Sequence, residues 1–343
     1  MIKLTQYAKG SGCGCKIEPA VLQKLLHDSR TSGLDNLLIG NQNNDDASVY
    51  LLADEQCLIV TADFFTPVVD DPFLFGKIAS ANALSDVYAM GGNPITAIAI
   101  MGWPIDKIPV EVAATVMAGA KETCHHAGVV ISGGHTIDAP EPFFGLSVNG
   151  LAKKQEIKLN SSAVAGDFIY ITKPIGFGII GAAIKKGLQL EHIHAFYDEI
   201  TSLNKIGAVL GKQIEINAMT DITGYGLGGH LLEVCKASNV GAKISLSAIP
   251  VLSEIKQLAA QGVLPDATYR NWNNINDAVT IDEGVDALLS FALLADPQTN
   301  GGLLFTINPT HDHIVKQLFS MSRHQVYKIG VISDRASAIS VIV

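Results

Sequence analysis

Aromatic and basic side chains are both scarce in this chain of 343 residues. Phe, Trp and Tyr make up 6% of the sequence, so Ala, Val, Ile and Leu must fill the cores, which suits tightly packed layers of strands and helices. Lys and Arg number 24 against 33 Asp and Glu, which gives a formal net charge of −9. Nucleic-acid binding needs a basic field along the phosphates, so this charge predicts no nucleic-acid partner.

Long apolar runs are missing as well. No stretch reaches the roughly 18 uninterrupted apolar residues of a membrane-spanning helix, and residues 1–7 have no signal-peptide core. The 5 cysteines are an odd number without the spacing of a disulfide framework. We therefore expect a soluble, cytoplasmic protein with reduced thiols and no membrane partner.

The length and the hydrophobic fraction of 48% suit two domains with large cores. Residues 1–19 are rich in glycine and lack a hydrophobic period, which predicts a flexible arm. The character of the chain changes near residue 156, and both halves mix helices with strands. We expect an α+β chain with an arm (1–19), an N-terminal domain (20–156) and a C-terminal α/β domain (157–343).

Hydrophobic patterning predicts the individual elements. Helices are expected after Pro19 and over residues 73–90, 109–127, 222–238 and 251–261. Strands are expected over residues 47–52, 57–62, 95–101, 129–132, 144–152, 167–172, 242–246, 302–307 and 325–332.

The arm carries a run of cysteines, glycines and a lysine, namely Gly12-Cys13-Gly14-Cys15-Lys16. A thiolate is the reactive form of cysteine, and a neighbouring ammonium lowers the thiol pKa. Flanking glycines allow close approach to a substrate and closure over a site. A surface Cys-x-Cys without a role and half of a soft-metal site are alternatives, but no second ligand pair accompanies it. A reactive cysteine on a flexible arm explains this sequence of glycines, cysteines and lysine better than either alternative.

Acidic residues with apolar neighbours form a second pattern. Singly, each is explained as a helix cap or turn residue, and Asp221 could cap a helix that follows it. Together they favour a metal and phosphate site, because carboxylates at the edge of a core need a compensating cation and Mg²⁺ prefers carboxylate and phosphate oxygens. The residues are Asp45, Asp46, Asp63, Asp86 and Asp221.

Glycine-rich segments are the third pattern, and each is weak evidence alone. They are interpreted as turns at residues 133–136, 224–230 and 299–302, whose backbone N–H groups could cradle phosphate. No Walker A loop or dinucleotide fingerprint is present. His135 and His230 are minor candidates as ligands or bases.

These motifs together resemble the selenophosphate synthetase (selenide, water dikinase) family, in order from about residue 4 to the C-terminus. The Cys-Lys arm is the specific part of the resemblance. A wider superfamily shares the acidic motifs, including aminoimidazole ribonucleotide synthetase, thiamine-monophosphate kinase and a hydrogenase maturation factor. The matching segments beyond the arm are residues 45–47, 61–65, 82–92, 133–138, 219–224 and 296–299.

The resemblance implies the two-domain ATP-binding fold of the aminoimidazole ribonucleotide synthetase-like superfamily. It implies a homodimer whose N-terminal sheets pair into a barrel, so that the domain at 20–156 binds ATP and Mg²⁺ and forms the dimer. It also implies an ATP-dependent synthesis of selenophosphate from selenide and water, with release of AMP and phosphate.

The resemblance also implies roles for single residues. Cys13 matches an essential cysteine, which is selenocysteine in some relatives, and Lys16 matches an essential lysine at the phosphates. The implied Mg²⁺ ligands are Asp46, Asp86 and Asp221. The implied nucleotide contacts are Lys16, Asn43, Asn44, Asp45, Asp63 and Asp86, with Gly134, His135 and Thr136 reaching the partner subunit's ATP. Bacterial relatives often carry arginine where this chain has Asn44, so the resemblance implies a backbone contact with phosphate there and not a side-chain contact.

Two alternatives remain open from the sequence. Another ATP-dependent enzyme of the superfamily would have no use for the Cys-Lys arm. A non-catalytic selenium or metal carrier using Cys13 and Cys15 would leave the core-edge aspartates unexplained.

Overall fold

The computed structural model describes residues 2–8, 10, 12–15, 21, 25, 35–40 and 44–343, with Cys15 described by its backbone alone. These residues form two sheets with helices packed on them, which confirms the α+β class. Val21 and Leu25 are helical, as expected after Pro19, which itself lies outside the described residues. The domain limits at residues 19 and 156 stay predictions.

The first sheet has six strands in the order β1-β2-β3-β6-β4-β5. Strands β4 and β5 are parallel, and the other neighbours are antiparallel. The strands are β1 (Leu37–Ile39), β2 (Ser48–Leu51), β3 (Gln56–Phe65), β4 (Asn93–Trp103), β5 (Val130–Asp138) and β6 (Phe143–Lys153). The sequence predicted every one of these except β1, but it ended β5 six residues too early.

Two helices, α1 (Pro72–Ala89) and α2 (Val110–Ala127), pack on each other, and α1 packs on β3 and β6. The Asp71 side chain accepts a hydrogen bond from the Leu74 N–H, and Pro72 occupies the first turn, so the start of α1 follows from its sequence. Helix α1 is buried on nearly all sides. Its few polar side chains therefore point into the protein rather than into solvent.

The other face of this sheet exposes several apolar side chains among the described residues. Along β3 the side chains alternate, so that Ile59 and Phe65 are buried while Val60 and Phe64 face outwards. Phe64 is 48% exposed and Ile98 of β4 is 44% exposed.

The second sheet has seven strands in the order β10-β13-β9-β12-β7-β11-β8. Its strands are β7 (Phe168–Ile171), β8 (Ile216–Asp221), β9 (Gly241–Ser245), β10 (Val279–Ile281), β11 (Leu303–Ile307), β12 (Tyr327–Ser333) and β13 (Ile339–Ile342). The helices of this half are α3 (Phe177–Lys185), α4 (Ile193–Thr201), α5 (Ile206–Gly211), α6 (Gly226–Ser238), α7 (Ile255–Ala260), α8 (Asp266–Ile275), α9 (Ala287–Ala295) and α10 (Asp312–Ser320). In the described part of the chain no helix is long and apolar enough to cross a membrane.

Two predicted helices begin later than expected. Helix α6 starts at Gly226 rather than at residue 222, because the Ile222 N–H donates to the Gly302 carbonyl at 2.9 Å and prolongs the strand pairing. Helix α7 starts at Ile255, since Val251 forms a bridge with Ile175. Asp221 is consequently the last residue of β8, and its interpretation as a helix cap is wrong.

Candidate active site

Three of the predicted aspartates meet where the two halves of the chain touch. Asp46 precedes β2, Asp86 lies in α1, and Asp221 ends β8. Hydrogen bonds join these elements: the Thr220 Oγ1 donates to Asp46 Oδ1 at 2.9 Å, and the Ser85 Oγ donates to Asp221 Oδ2 at 2.5 Å. Because each donor is the sequence neighbour of another aspartate, the bonds bring all three carboxyl groups together.

The charges of this aspartate cluster oppose one another. Burial raises the pKa of Asp46 well above its usual range, and the nearby Asp221 and Asp86 carboxylates raise this pKa further. The buried Oδ2 of Asp46 has no hydrogen-bond partner among the described residues. A cation would satisfy this oxygen and offset the repulsion, and carboxylate oxygens are ligands that Mg²⁺ prefers, so the residues fit this ion.

Asp86 is also held from the first sheet. The Thr61 Oγ1 donates to Asp86 Oδ2 at 2.5 Å, and Thr61 lies in β3, two residues before Asp63. The middle of β3 therefore faces the same region of α1 that carries Asp86.

The loop before Asp46 is anchored to the second half of the chain. Asp45 Oδ1 accepts from the Asn160 N–H at 2.9 Å, and burial raises the pKa of this carboxyl. The Asn44 side chain donates to Glu233 Oε1 at 3.1 Å, and its backbone is left-handed, with φ of 54°. The side-chain amide of Asn44 is thus directed towards α6.

Cys13 is fully buried and docked against both halves. Its N–H donates to Thr299 Oγ1 at 3.0 Å, and its thiol donates to Asn82 Oδ1 at 3.2 Å. The Gly14 carbonyl accepts from Arg270 Nη2 at 2.9 Å. The amide of Asn82 in turn donates to Asp63 Oδ2 at 2.6 Å, which links the cysteine to a predicted nucleotide contact.

The segment that receives Cys13 is itself fixed by the start of α3. Asp296 Oδ2 accepts from the Gly178 N–H at 3.0 Å and from Gln298 Nε2 at 2.7 Å. Gln298 Oε1 accepts from the Phe177 N–H at 3.1 Å. Because these side chains cap the first N–H groups of α3, Thr299 is held in a defined place.

Gly134, His135 and Thr136 do not form the turn that the sequence indicated. They lie within β5, opposite Ala99, Ile100 and Met101 of β4. Strand β5 is at the edge of the first sheet and is exposed along nearly its whole length. The parallel pairing with β4 holds Gly133 and Gly134 in an extended strand and overrides the preference of glycine for turns. No described hydrogen bond joins these residues to the aspartate cluster.

Two predicted site residues, Lys16 and Asn43, lie outside the described residues. His230 is buried, with its Nε2 3.2 Å from Thr223 Oγ1 and its Nδ1 3.3 Å from Glu233 Oε2. Each ring nitrogen of His230 thus has a partner close by in the chain, which gives this buried histidine a structural role at the start of α6.

Sequence reasoning missed the residues that hold the site together. Asn82, Ser85 and Asp86 are polar residues on one face of an otherwise apolar helix, and this spacing was a signal for the first two. Thr299 and Asn300 lie in the segment at 299–302, which the sequence indicated as a glycine-rich turn and not as a contact for Cys13. Nothing local indicated Thr220 as the donor to Asp46.

Two family models match the chain: AIR synthase related protein, N-terminal domain, over residues 44–152, and AIR synthase related protein, C-terminal domain, over residues 164–342. A selenide, water dikinase of Shewanella sp. (strain MR-7) is 45% identical over 345 residues, covering 99% of this chain and 96% of that protein. The selenide, water dikinase of Photorhabdus laumondii is 45% identical over 338 residues, covering 98% and 96%.

Solved structures share the fold at lower identity. Thiamine monophosphate kinase from Aquifex aeolicus has a TM-score of 0.68 at 15% identity and covers 94% of this chain and 96% of that chain. The hydrogenase maturation protein HypE in complex with ATP has a TM-score of 0.64 at 17% identity, covering 99% and 94%. At these identities the likeness shows that the fold is shared over nearly the whole chain.

Proposed function

The chain belongs to the selenide, water dikinase family, and from this we propose that it makes selenophosphate from selenide, ATP and water, releasing AMP and phosphate. The observation that carries the proposal is the docking of Cys13 onto α1, the helix that also supplies Asp86 to the aspartate cluster. A thiol docked on the helix that supplies one carboxylate of the aspartate cluster suits transfer of a phosphoryl group to a chalcogen nucleophile. Neither another enzyme of the superfamily nor a non-catalytic carrier explains both features.

Mg²⁺ is the proposed cofactor, held by Asp46, Asp86 and Asp221. When bound, it would neutralise negative charge on the transferring phosphoryl group. The chain's own part is to hold three carboxylates in place, which Thr220, Ser85 and Thr61 do by donating hydrogen bonds to them. The Oδ2 of Asp46, which has no hydrogen-bond partner among the described residues, supports this assignment.

Cys13 and Lys16 are the proposed catalytic residues. ATP and selenide are both anions, so the Lys16 ammonium would lower the electrostatic barrier to their approach. Cys13 is brought to the site by the arm, where burial excludes water from the first transfer. Water enters later, because the released nucleotide is AMP rather than ADP.

The proposed nucleotide contacts are Lys16, Asn43, Asn44, Asp45, Asp63 and Asp86. Gly134, His135 and Thr136 are proposed to reach the ATP of a second subunit. Their exposure on an edge strand, next to the exposed apolar side chains of the first sheet, supports a homodimer built through a barrel of the two N-terminal sheets. We also propose the cytoplasm as the location, and domains at 20–156 and 157–343 behind an arm at 1–19.

Phosphorus NMR of the protein with ATP, Mg²⁺ and selenide under anaerobic conditions tests the reaction. We expect selenophosphate, AMP and phosphate in equal amounts from the unsubstituted protein. Cys13→Ser should lose product, because a hydroxyl is a poorer nucleophile and selenium partner than a thiol, and Asp46→Asn, Asp86→Asn and Asp221→Asn should lose ATP turnover.

Cys235→Ser is the matched control, since this thiol is equally buried and burial raises its pKa to about 12. It should retain activity, as should Cys15→Ser. ADP as the final product, or full activity in Cys13→Ser, would contradict the proposed function.

A further inference from the structure

Asn82 is a fully buried amide inside α1. Ser85 and Asp86 follow it by three and four residues, so all three lie on one face of the helix. Ser85 holds Asp221, and Asp86 belongs to the aspartate cluster. A buried amide is costly unless its donors and acceptors are used, so the partners of Asn82 define what it does there.

The hydrogen bonds of Asn82 fix which way its amide points. Its Oδ1 accepts from the Asn300 N–H at 2.6 Å, and a backbone N–H can only donate. The nitrogen must therefore face Asp63, to whose Oδ2 it donates at 2.6 Å. In a flipped amide the Asn82 nitrogen would face the Asn300 N–H, and the Asn82 oxygen would face Asp63 Oδ2, so both hydrogen bonds would be lost.

Oδ1 of this fixed amide is also the acceptor of the Cys13 thiol, 3.2 Å away. One side chain thus contacts the arm, the Thr299-Asn300 segment and β3. The Thr299 Oγ1 accepts from the Cys13 N–H at 3.0 Å, so the cysteine is held at both its backbone and its sulfur.

We propose that Asn82 is a positioning residue that sets the Cys13 thiol in place and couples this placement to the nucleotide through Asp63. The inference rests on the proposed function, in which Asp63 contacts ATP. A nucleotide that orders Asp63 orders the Asn82 amide, which then retains the thiol. Asn82 itself need not touch the reacting atoms.

Alkylation of Cys13 by iodoacetamide, followed by mass spectrometry of its peptide, measures this coupling. We expect saturating AMPPCP with Mg²⁺ to slow alkylation of the unsubstituted protein at least tenfold. In Asn82→Ala we expect the nucleotide to slow alkylation by less than about twofold. This loss of protection has the size expected for one lost buried hydrogen bond. In steady-state assays kcat for selenide-dependent AMP release should fall in Asn82→Ala, while KM for ATP stays within about twofold, because a positioning role acts after ATP binds.

Asn217→Ala is the matched control, because Asn217 Nδ2 makes the same kind of bond to a buried carboxylate, Asp167 Oδ2, at 2.8 Å. It should keep full protection of Cys13. Asn82→Asp keeps the side-chain volume of residue 82 but replaces the N–H donor to Asp63 with a second carboxylate. It should therefore also lose the protection of Cys13 by the nucleotide. This variant takes the place of Asn82→Ala if Asn82→Ala does not fold.

Protection in Asn82→Ala or Asn82→Asp equal to that of the unsubstituted protein would overturn the inference. The alkylation assay contains no selenide, so it is independent of the reaction. A protein that protects Cys13 through Asn82 but releases no AMP would keep the positioning role and contradict the proposed function instead.

Discussion

Two buried titratable side chains, Lys173 and Asp296, flank the segment that receives Cys13. The Lys173 Nζ donates to the carbonyls of Ser202 and Asn300, both at 2.9 Å, and burial lowers its pKa to about 7. Burial raises the pKa of Asp296 to about 8 in spite of the hydrogen bonds from Gln298 and Gly178. At neutral pH the Asp296 carboxyl is therefore mainly protonated in the folded protein.

Asp296→Asn should remove one source of pH-dependent stability. The pKa of Asp296 in the folded protein, about 8, exceeds its reference value of 3.8. The folded state therefore binds the proton more strongly, and the free energy of unfolding falls as pH rises from about 4 to about 8. Asparagine resembles the neutral acid, so the melting temperature of the variant should match that of the unsubstituted protein below about pH 4, exceed it modestly at pH 5 and exceed it most at pH 8.5.

Asp312→Asn is the control of opposite sign. Hydrogen bonds from Lys316 and Tyr170 lower the pKa of Asp312, so its ionised form stabilises the fold at neutral pH. This variant should melt earlier at pH 7 and approach the unsubstituted protein as pH falls below the reference pKa. If the melting curves of Asp296→Asn and the unsubstituted protein shift in parallel from pH 5 to pH 8.5, the raised pKa of Asp296 is wrong.

At the scale of elements, the arm docks through a backbone that only glycine adopts readily. The Gly12 N–H donates to the Thr66 carbonyl at 3.0 Å, with φ of +53°. A Cβ at this position would lie 2.3 Å from Thr299 Oγ1, the acceptor of the Cys13 N–H. The arm and the Thr299 segment are thus complementary only without a side chain at residue 12.

Gly12→Ala should release the arm without unfolding the domains. We expect faster alkylation of Cys13 and at least about a tenfold loss of AMP release, since strain and a clash act together at this position. Gly128→Ala is the control, because Gly128 also has positive φ, +78°, but a Cβ there meets nothing within 4 Å. Unchanged alkylation in Gly12→Ala would show that the arm does not dock through this contact.

The elements of the first half of the chain were largely predictable because their signals are local. In the second half the sequence did not predict helices α3, α4, α5, α8, α9 and α10 or strands β8, β10 and β13. The start of α1 follows from Asp71 and Pro72, and strands such as β3 follow from alternation. The segment at 133–136 was predicted wrongly because pairing with β4 decides its conformation. The sequence also predicted the aspartates as site residues, but it did not predict Asn82 or Thr299. The contacts of Asn82 and Thr299 with Cys13 join residues far apart in the chain, and no short-range pattern encodes such contacts.

At the scale of the whole molecule, the first sheet exposes apolar side chains on one face, around Val60, Phe64 and Ile98. The Phe64 ring packs on that of Phe143, with centroids 5.5 Å apart, which makes the patch continuous across β3 and β6. Contiguous exposed apolar surface of this kind is typical of an interface.

Phe64→Glu should therefore give a folded monomer. Burying a carboxylate in a dimer interface is unfavourable, so sedimentation velocity should show half the mass of the unsubstituted protein. AMP release should fall as well, because residues 134–136 of the partner would no longer reach the nucleotide. Ile214→Glu is the control: Ile214 is 85% exposed outside this face and its substitution should leave the mass unchanged. A dimeric Phe64→Glu protein would contradict the proposed interface.

The hydrogen bond between Cys13 and Thr299 spans 286 residues, nearly the whole chain. A ribosome adds about 5–20 residues per second, so Cys13 leaves the exit tunnel roughly a quarter to one minute before Thr299, which accepts from its N–H, leaves it. During that interval the cysteine has no folded site to occupy and is open to oxidants and soft metal ions. Each newly made chain therefore depends on the reducing capacity of its surroundings until synthesis is almost complete.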